Sequence, residues 1–252
     1  MSPAHDTPLA LLGYSPDAAR ALRELGLTAL SLPTDALPEV LHACAVLACP
    51  GALVAPRFQN QVLAISRPDM AAQRAGSADA LSFAGHQIHA TCTLPDALQD
   101  ALEDSGYPVR GANALLIGQG GDLGAGLALA RLGLSSLTLA AASRPEAEHL
   151  VQDLPRGLKA HVTSRSDPAL VTLAERADLI VLTAGPLPPG VLQPFHALLD
   201  LTGRAGSAAG QAGAALVSLA RLPELRLARR LSHATGQRFA PEVLNELARL
   251  LG

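Results

Sequence analysis

Aromatic residues are scarce in this chain of 252 residues: it has no tryptophan, two tyrosines and four phenylalanines. With so few stacking surfaces and a formal charge of −3, it offers neither the platforms nor the positive field that nucleic acid requires, which excludes a nucleic-acid partner. Lysine is nearly absent as well. Of 19 basic residues only Lys159 is a lysine, so chemistry that needs a side-chain amine has one residue to draw on. The three cysteines, Cys44, Cys49 and Cys92, are odd in number and lack the spacing of a zinc site or a disulfide framework; they read as small buried hydrophobes and no metal site is expected. No apolar run approaches the roughly 18 residues of a membrane span. The opening MSPAHDTPLALLGYSP lacks the basic and long apolar regions of a signal peptide. A cytoplasmic protein without a membrane partner is the expectation.

Hydrophobic residues make up 49% of the chain and charged residues 16%, enough for one large core or two modest ones. Short apolar runs alternate with helical patterns: PLALLG, a helix over Asp17 to Leu25, TALSLP, a helix over Pro38 to Leu47, and GALVA. That alternation predicts an α/β fold with a parallel sheet in each half. Ala78 to Phe83 and Gln87 to Thr91 form a hairpin around Ala84, Gly85 and His86. Leu94 to Glu103 is a helix that connects two domains. Beyond it, Lys159 to Thr163, Asp178 to Thr183 and Leu198 to Leu201 read as strands, with a helix over Asp167 to Arg176. Thr202 to Gly213 (TGRAGSAAGQAG) is flexible by composition, and Leu222 to Leu251 reads as two helices broken at Gly236 and Pro241. The domains are then 1–104, 105–213 and a helical tail, 214–252, that returns to the first.

The segment richest in chemistry is NALLIGQGGDLGA, residues 113–125. Ala114 to Ile117 reads as a buried strand, and Gly118, Gly120 and Gly121 allow a tight turn with no side chain between the backbone and a ligand. A helix over Leu123 to Leu132 follows, closed by Gly133, and then a strand over Ser136 to Ala141. This is the βαβ unit of a Rossmann-type dinucleotide-binding domain, with an anion facing the helix start. The cofactor contacts expected are Gly118, Gln119, Gly120, Gly121, Asp122 and Leu123, then Ser143 and Arg144 after the second strand. Thr183, Ala184 and Gly185, at the end of a later strand, should lie near a nicotinamide. No carboxylate is placed for a ribose 2′-OH. Arg144 is either a partner for the 2′-phosphate of NADP or a solvated arginine at a helix start. Asp122 either faces the pyrophosphate, opposing it, or caps the helix.

In its order of parts the chain resembles the shikimate dehydrogenase family, whose members reduce 3-dehydroshikimate with NADPH. Gly118, Gly120, Gly121 and Ala125 fall on the family's glycine loop, Arg144 looks like its NADP-selecting arginine, and Ala177 to Val181 is similar to its strand before the nicotinamide loop. Gly13-Tyr14-Ser15-Pro16 resembles the substrate motif Ser-x-Ser-Pro with the second serine kept. Gly236 to Pro241 lines up with the closing helix. The resemblance implies an N-terminal α/β substrate domain, an NADP-binding domain, a role in aromatic amino acid biosynthesis, and a monomer or homodimer acting on a small molecule.

The departures fall where the family's chemistry is done. GALVAPRF, residues 51–58, is similar to Asn-Val-Thr-x-Pro-x-Lys, yet Phe58 stands at the catalytic lysine and Val54 at the threonine. Asp79 stands for an asparagine, Cys92 for the catalytic aspartate and Leu219 for a substrate-binding glutamine. Arg57 cannot replace the lysine, because a guanidinium keeps its proton. The local candidates for proton transfer are His86 and His89, with Asp79 to orient one of them, and Ser15 and Thr91 are the candidate substrate contacts. Two functions follow. One is an NADP-dependent oxidoreductase of shikimate dehydrogenase type with altered or weak activity. The other is a non-catalytic relative that senses a nucleotide or metabolite, or docks a protein.

Overall fold

The computed structural model describes residues 7–152 and 154–251. Its first elements are β1 (Leu9–Leu12), α1 (Pro16–Glu24), β2 (Ala29–Leu32), α2 (Leu37–Val46), β3 (Gly51–Val54), α3 (Gln59–Ala64), β4 (Arg67–Pro68) and α4 (Met70–Ala75). Then come β5 (Ala80–Ala84), β6 (Gln87–Thr91), α5 (Leu94–Asp104), β7 (Asn113–Ile117), α6 (Gly120–Gly126), β8 (Ser136–Ala141), α7 (Arg144–Val151) and β9 (Lys159–Ser164). The last are α8 (Leu170–Ala174), β10 (Leu179–Leu182), β11 (Ala197–Asp200), α9 (Gly206–Ala212), β12 (Ala215–Leu216), α10 (Leu222–Thr235) and α11 (Asn245–Leu251). They form two compact units: residues up to 97 together with those from 222 onward, and residues 98–221.

The first unit is built on a six-stranded sheet in the order β2-β1-β3-β5-β6-β4. β1 pairs in parallel with β2 and β3, whereas β5 runs antiparallel to both β3 and β6. The sheet is therefore mixed and not parallel: β5 runs against both its neighbours, and the tight turn at Gly85 (φ 60°) reverses the chain between β5 and β6. β1 is buried on both faces, and its two-residue period divides it between two cores. Leu9 and Leu11 meet Leu22 of α1, Leu227 and Leu231 of α10 and Leu247 of α11, while Ala10 and Leu12 meet Leu41 and Cys44 of α2.

The second unit carries a sheet in the order β12-β11-β10-β7-β8-β9, parallel at every pairing. From β7 the chain winds outward through β8 and β9, then returns to the other side of β7 with β10. Ile117 and Leu182, the last residues of β7 and β10, lie opposite each other. In such a doubly wound sheet the crevice for a ligand opens at this point of reversal.

Two local readings of the sequence are corrected here. The helix after β7 begins at Gly120, not Leu123, and tightens into 3-10 turns over Leu127–Leu132. The tighter coil aligns residues three apart, which turns Leu127 and Ala130 together into the core. The second correction is that 202–213 is not flexible throughout, since it contains α9. Asp200 organises the start of that helix by accepting from the Thr202 and Ala205 N–H groups at 2.9 and 2.6 Å. Ala205 and Ala209 are buried beside Leu198, and Gly213 ends the helix at φ 70°.

Candidate functional site

Gly118 follows β7 directly, and a Cβ there would collide with Oγ1 of Thr183, the residue after β10. At Gly126 a Cβ would lie 2.7 Å from Leu116 and 2.9 Å from Thr183. The two glycines thus let α6 close onto the ends of both central strands, and Gly120 (φ 56°) makes the turn itself. Thr183 is buried, with its N–H 2.9 Å from the Ile117 carbonyl. Gln119, Gly121 and Asp122 are exposed or half-buried around the turn, whereas the Leu123 side chain is fully buried in the core and presents only backbone. Asp122 lies inside the first turn of α6 and not at its cap, so the capping role considered for it is not the one it has.

Two carboxylates from α7 engage the glycine turn and Arg144. Ser143 caps α7, its Oγ accepting from the Glu146 N–H at 3.4 Å. In a reciprocal capping box Glu146 would reach back to the cap residue. Instead its Oε1 accepts the Gly120 N–H of the glycine turn at 2.5 Å. Arg144 donates to Glu148 at 3.0 Å, four residues along the same helix, with both side chains more than half exposed. An exposed pair of this type contributes only about 0.2–1 kcal/mol, so it does not remove Arg144 from reach of a competing anion. Arg165 was not foreseen: it donates to the Ala184 and Pro186 carbonyls at 3.0 and 2.5 Å and holds the 183–186 loop, with its guanidinium against Gly185. An arginine whose partners are backbone carbonyls some twenty residues away leaves no sequence signature.

In the first unit, a cavity of about 190 Å³ is lined by Tyr14, Gln59, Leu94, Arg226 and Arg230, among others. Arg226 and Arg230, four apart on α10, share a helix face. Asp79 is fully buried and receives the Thr93 N–H at 2.8 Å, the Thr93 hydroxyl at 2.9 Å, and the Nε and Nη2 of Arg226 at 2.9 and 2.8 Å. Burial opposes the charge on Arg226, but the Asp79 carboxylate and its hydrogen bonds outweigh this and hold the guanidinium more firmly protonated than usual. Arg230 is buried and donates to the carbonyls of Asp79, Val54 and Leu251 and to the Tyr14 hydroxyl.

Asp79 is thus committed to Thr93 and Arg226 and hydrogen-bonds to neither His86 nor His89. His86 is exposed in the β5–β6 turn; His89 is half-buried on β6 between Ser82 and Arg67. Thr91 is buried and donates to Asp69 at 2.7 Å, and Ser15 is exposed at the start of α1. The Phe58 ring lies against Gly13, where a Cβ would collide with it, and beneath Arg57 at 4.7 Å. Cys92 is buried in the core, and burial, helped by the Asp79 charge, pushes its thiol up to about 11, so it keeps its proton at neutral pH. Leu219 packs against the core of the second unit; from the tail, the polar side chains that reach this cavity are Arg226 and Arg230. Among the described residues no group of three or more potential ligands could hold a metal ion, and no helix is long and apolar enough to cross a membrane.

No protein-family model and no curated protein sequence matches the chain. Solved structures do. Shikimate 5-dehydrogenase from Listeria monocytogenes, in complex with shikimate and NAD, superposes with a TM-score of 0.77 at 16% identity over 96% of each chain. The Thermus thermophilus enzyme in complex with NADP(H) and shikimate gives 0.71 at 24% identity, covering 96% of this chain and 98% of that one. Quinate dehydrogenase from Corynebacterium glutamicum, in complex with NAD, gives 0.73 at 17% identity with the same coverage. At these identities the likeness establishes architecture: the chain has the two-domain α/β fold of the shikimate 5-dehydrogenases, one of its domains of Rossmann type.

Proposed function

We propose that this protein is an NADP-dependent oxidoreductase of shikimate dehydrogenase type, moving hydride between NADPH and a small hydroxylated cyclic acid or related ketone, with altered or weak activity toward shikimate itself. The observation that carries the reading is the glycine turn at the reversal point of a fully parallel sheet, in a chain whose fold over 96% of its length is that of shikimate and quinate dehydrogenases. The second unit would hold the dinucleotide, with Gly118, Gly120 and Gly121 at the pyrophosphate, Arg144 at the 2′-phosphate and Thr183 to Gly185 beside the nicotinamide. When bound, NADPH supplies the hydride. The first unit would hold the acid in the cavity between Tyr14 and Arg226. Weak activity toward shikimate is expected because Phe58 and Cys92 stand where the family has its lysine and aspartate; loss of a general acid/base costs about 10² to 10⁴ in rate.

A second reading, a non-catalytic sensor of nucleotide or metabolite, is favoured by the same cavity. Its buried carboxylate is tied to an arginine, and the neighbouring thiol stays protonated at neutral pH. NADPH fluorescence titration followed by NADP reduction assays with shikimate and quinate decides between them. Saturable binding with turnover supports the first reading; binding without turnover on any polyol acid supports the second; no NADPH binding overturns the first and leaves the glycine turn a structural feature. Arg144→Ala should cost NADPH about tenfold or more in affinity and leave NADH unchanged, as expected for loss of a charged hydrogen bond.

A further inference from the structure

We infer that Arg226 is the anchor for an anionic group on the ligand of the first unit's cavity and that Asp79 is its positioning residue. The inference rests on the proposed function for the identity of the ligand as a small organic acid, but its own support is local. Asp79 is immobilised by two bonds to Thr93 and takes two of the three guanidinium nitrogens, Nε and Nη2. Nη1 has no partner among the described residues, and the Arg226 side chain, 32% exposed, lines the cavity. A guanidinium with one edge fixed by a carboxylate and a third nitrogen left over is ready to receive an oxygen anion without an ordering cost.

The charges agree. Arg226 and Arg230 both line the cavity, and among the described residues Asp79 is the carboxylate bonded to them; the partners of Arg230 are carbonyls and a hydroxyl. One positive charge is left to a ligand. The remaining lining is largely apolar, which strengthens an ionic contact made there. At about 190 Å³ the cavity is smaller than the roughly 300–1,000 Å³ of drug-sized sites, so the occupant is a single-ring acid and not a nucleotide.

Calorimetry on the full chain tests this with shikimate and its methyl ester, which differ in charge and little in shape. The acid should bind at least tenfold tighter than the ester. Arg226→Gln should lose about ten- to a hundredfold for the acid and little for the ester, Arg226→Lys should recover part of that loss, and NADPH affinity should not move in either variant. Since Arg226→Gln leaves a buried carboxylate short of partners, the double variant Asp79→Asn with Arg226→Gln provides a neutral pair with no stranded charge; with its fold checked by circular dichroism, it should show the same loss. Equal binding of acid and ester, unchanged acid affinity in the double variant, or no acid binding at all would each overturn the inference. Failure of the proposed function is read separately: the acid binds through Arg226 but NADPH does not bind.

Discussion

Glu146 shows how one side chain sets the terms on which a ligand is admitted. Its carboxylate occupies the Gly120 N–H at 2.5 Å, so under the proposed function a phosphate arriving at the turn would have to displace one anion and then sit beside it. Glu146→Gln keeps the hydrogen-bonding shape and removes the charge, and should tighten NADPH binding by about three- to tenfold, within the range of a charge-assisted hydrogen bond. The tightening should shrink as salt is raised. Fluorescence titration at low and high salt checks both statements, and an unchanged or weaker affinity would mean that Glu146 supports the turn. At this scale the sequence was only partly legible. The glycines of the turn announce themselves because a tight turn has local requirements, whereas the pairing of Asp79 with Arg226 joins residues 147 positions apart and has no local trace. His86 and His89 are candidates in the sequence because they stand where the resemblance puts an acid/base group. The fold leaves one in a solvent-exposed turn and the other on a strand, neither bonded to Asp79.

Among the elements, the contact of α6 with β7 and β10 is the most exacting, since Gly118 and Gly126 together admit the Thr183 and Leu116 side chains. Gly118→Ala should destabilise the protein by about 1–3 kcal/mol, the usual penalty for overpacking. Adding Thr183→Ala, which removes the colliding hydroxyl, should restore part of the loss; urea unfolding of the three variants measures it, and failure of the double variant to recover would place the strain elsewhere. The strands were readable for a simple reason: runs such as ALLI (114–117) and LIVL (179–182) are buried on both faces and carry no competing pattern. α9 was not readable. GSAAGQA has neither a hydrophobic period nor a strong helix former beyond alanine, and it is helical because Asp200 organises its start and two alanines face a core made by other strands. Local composition loses to tertiary contact there.

For the whole molecule, buried titratable groups confine stability to a window of pH. His196 accepts the Gln193 N–H at Nδ1, and its Nε2 donates to the Ala174 carbonyl; burial lowers its affinity for a proton, as it does for His233. A group that resists protonation only when folded makes the unfolded chain the better proton acceptor, so the free energy of unfolding should fall as pH drops below about 6.5. On the alkaline side Cys44 is raised from 9.0 to about 12, chiefly by burial, and Cys92 to about 11. Unfolding should release those protons and stability should decline above pH 9. With one lysine and two tyrosines in the chain, few other groups titrate in that range. Denaturation at pH 5.5, 7.5 and 10 should therefore give a maximum at the middle value, and Cys44→Ala should flatten the alkaline limb. The division of the chain has another consequence, in time. The first unit takes Leu9, Leu11 and Leu53 from one end of the sequence and Leu227, Leu231 and Leu247 from the other, with residues 98–221 in between. At about 5–20 residues per second, a ribosome needs roughly 6–25 s to traverse that insertion. For that interval β1 and β3 wait with one apolar face uncovered, and the helices that cover it are made only after the whole second unit has been synthesised, so the nascent chain, more than the finished protein, is the form most in need of a chaperone.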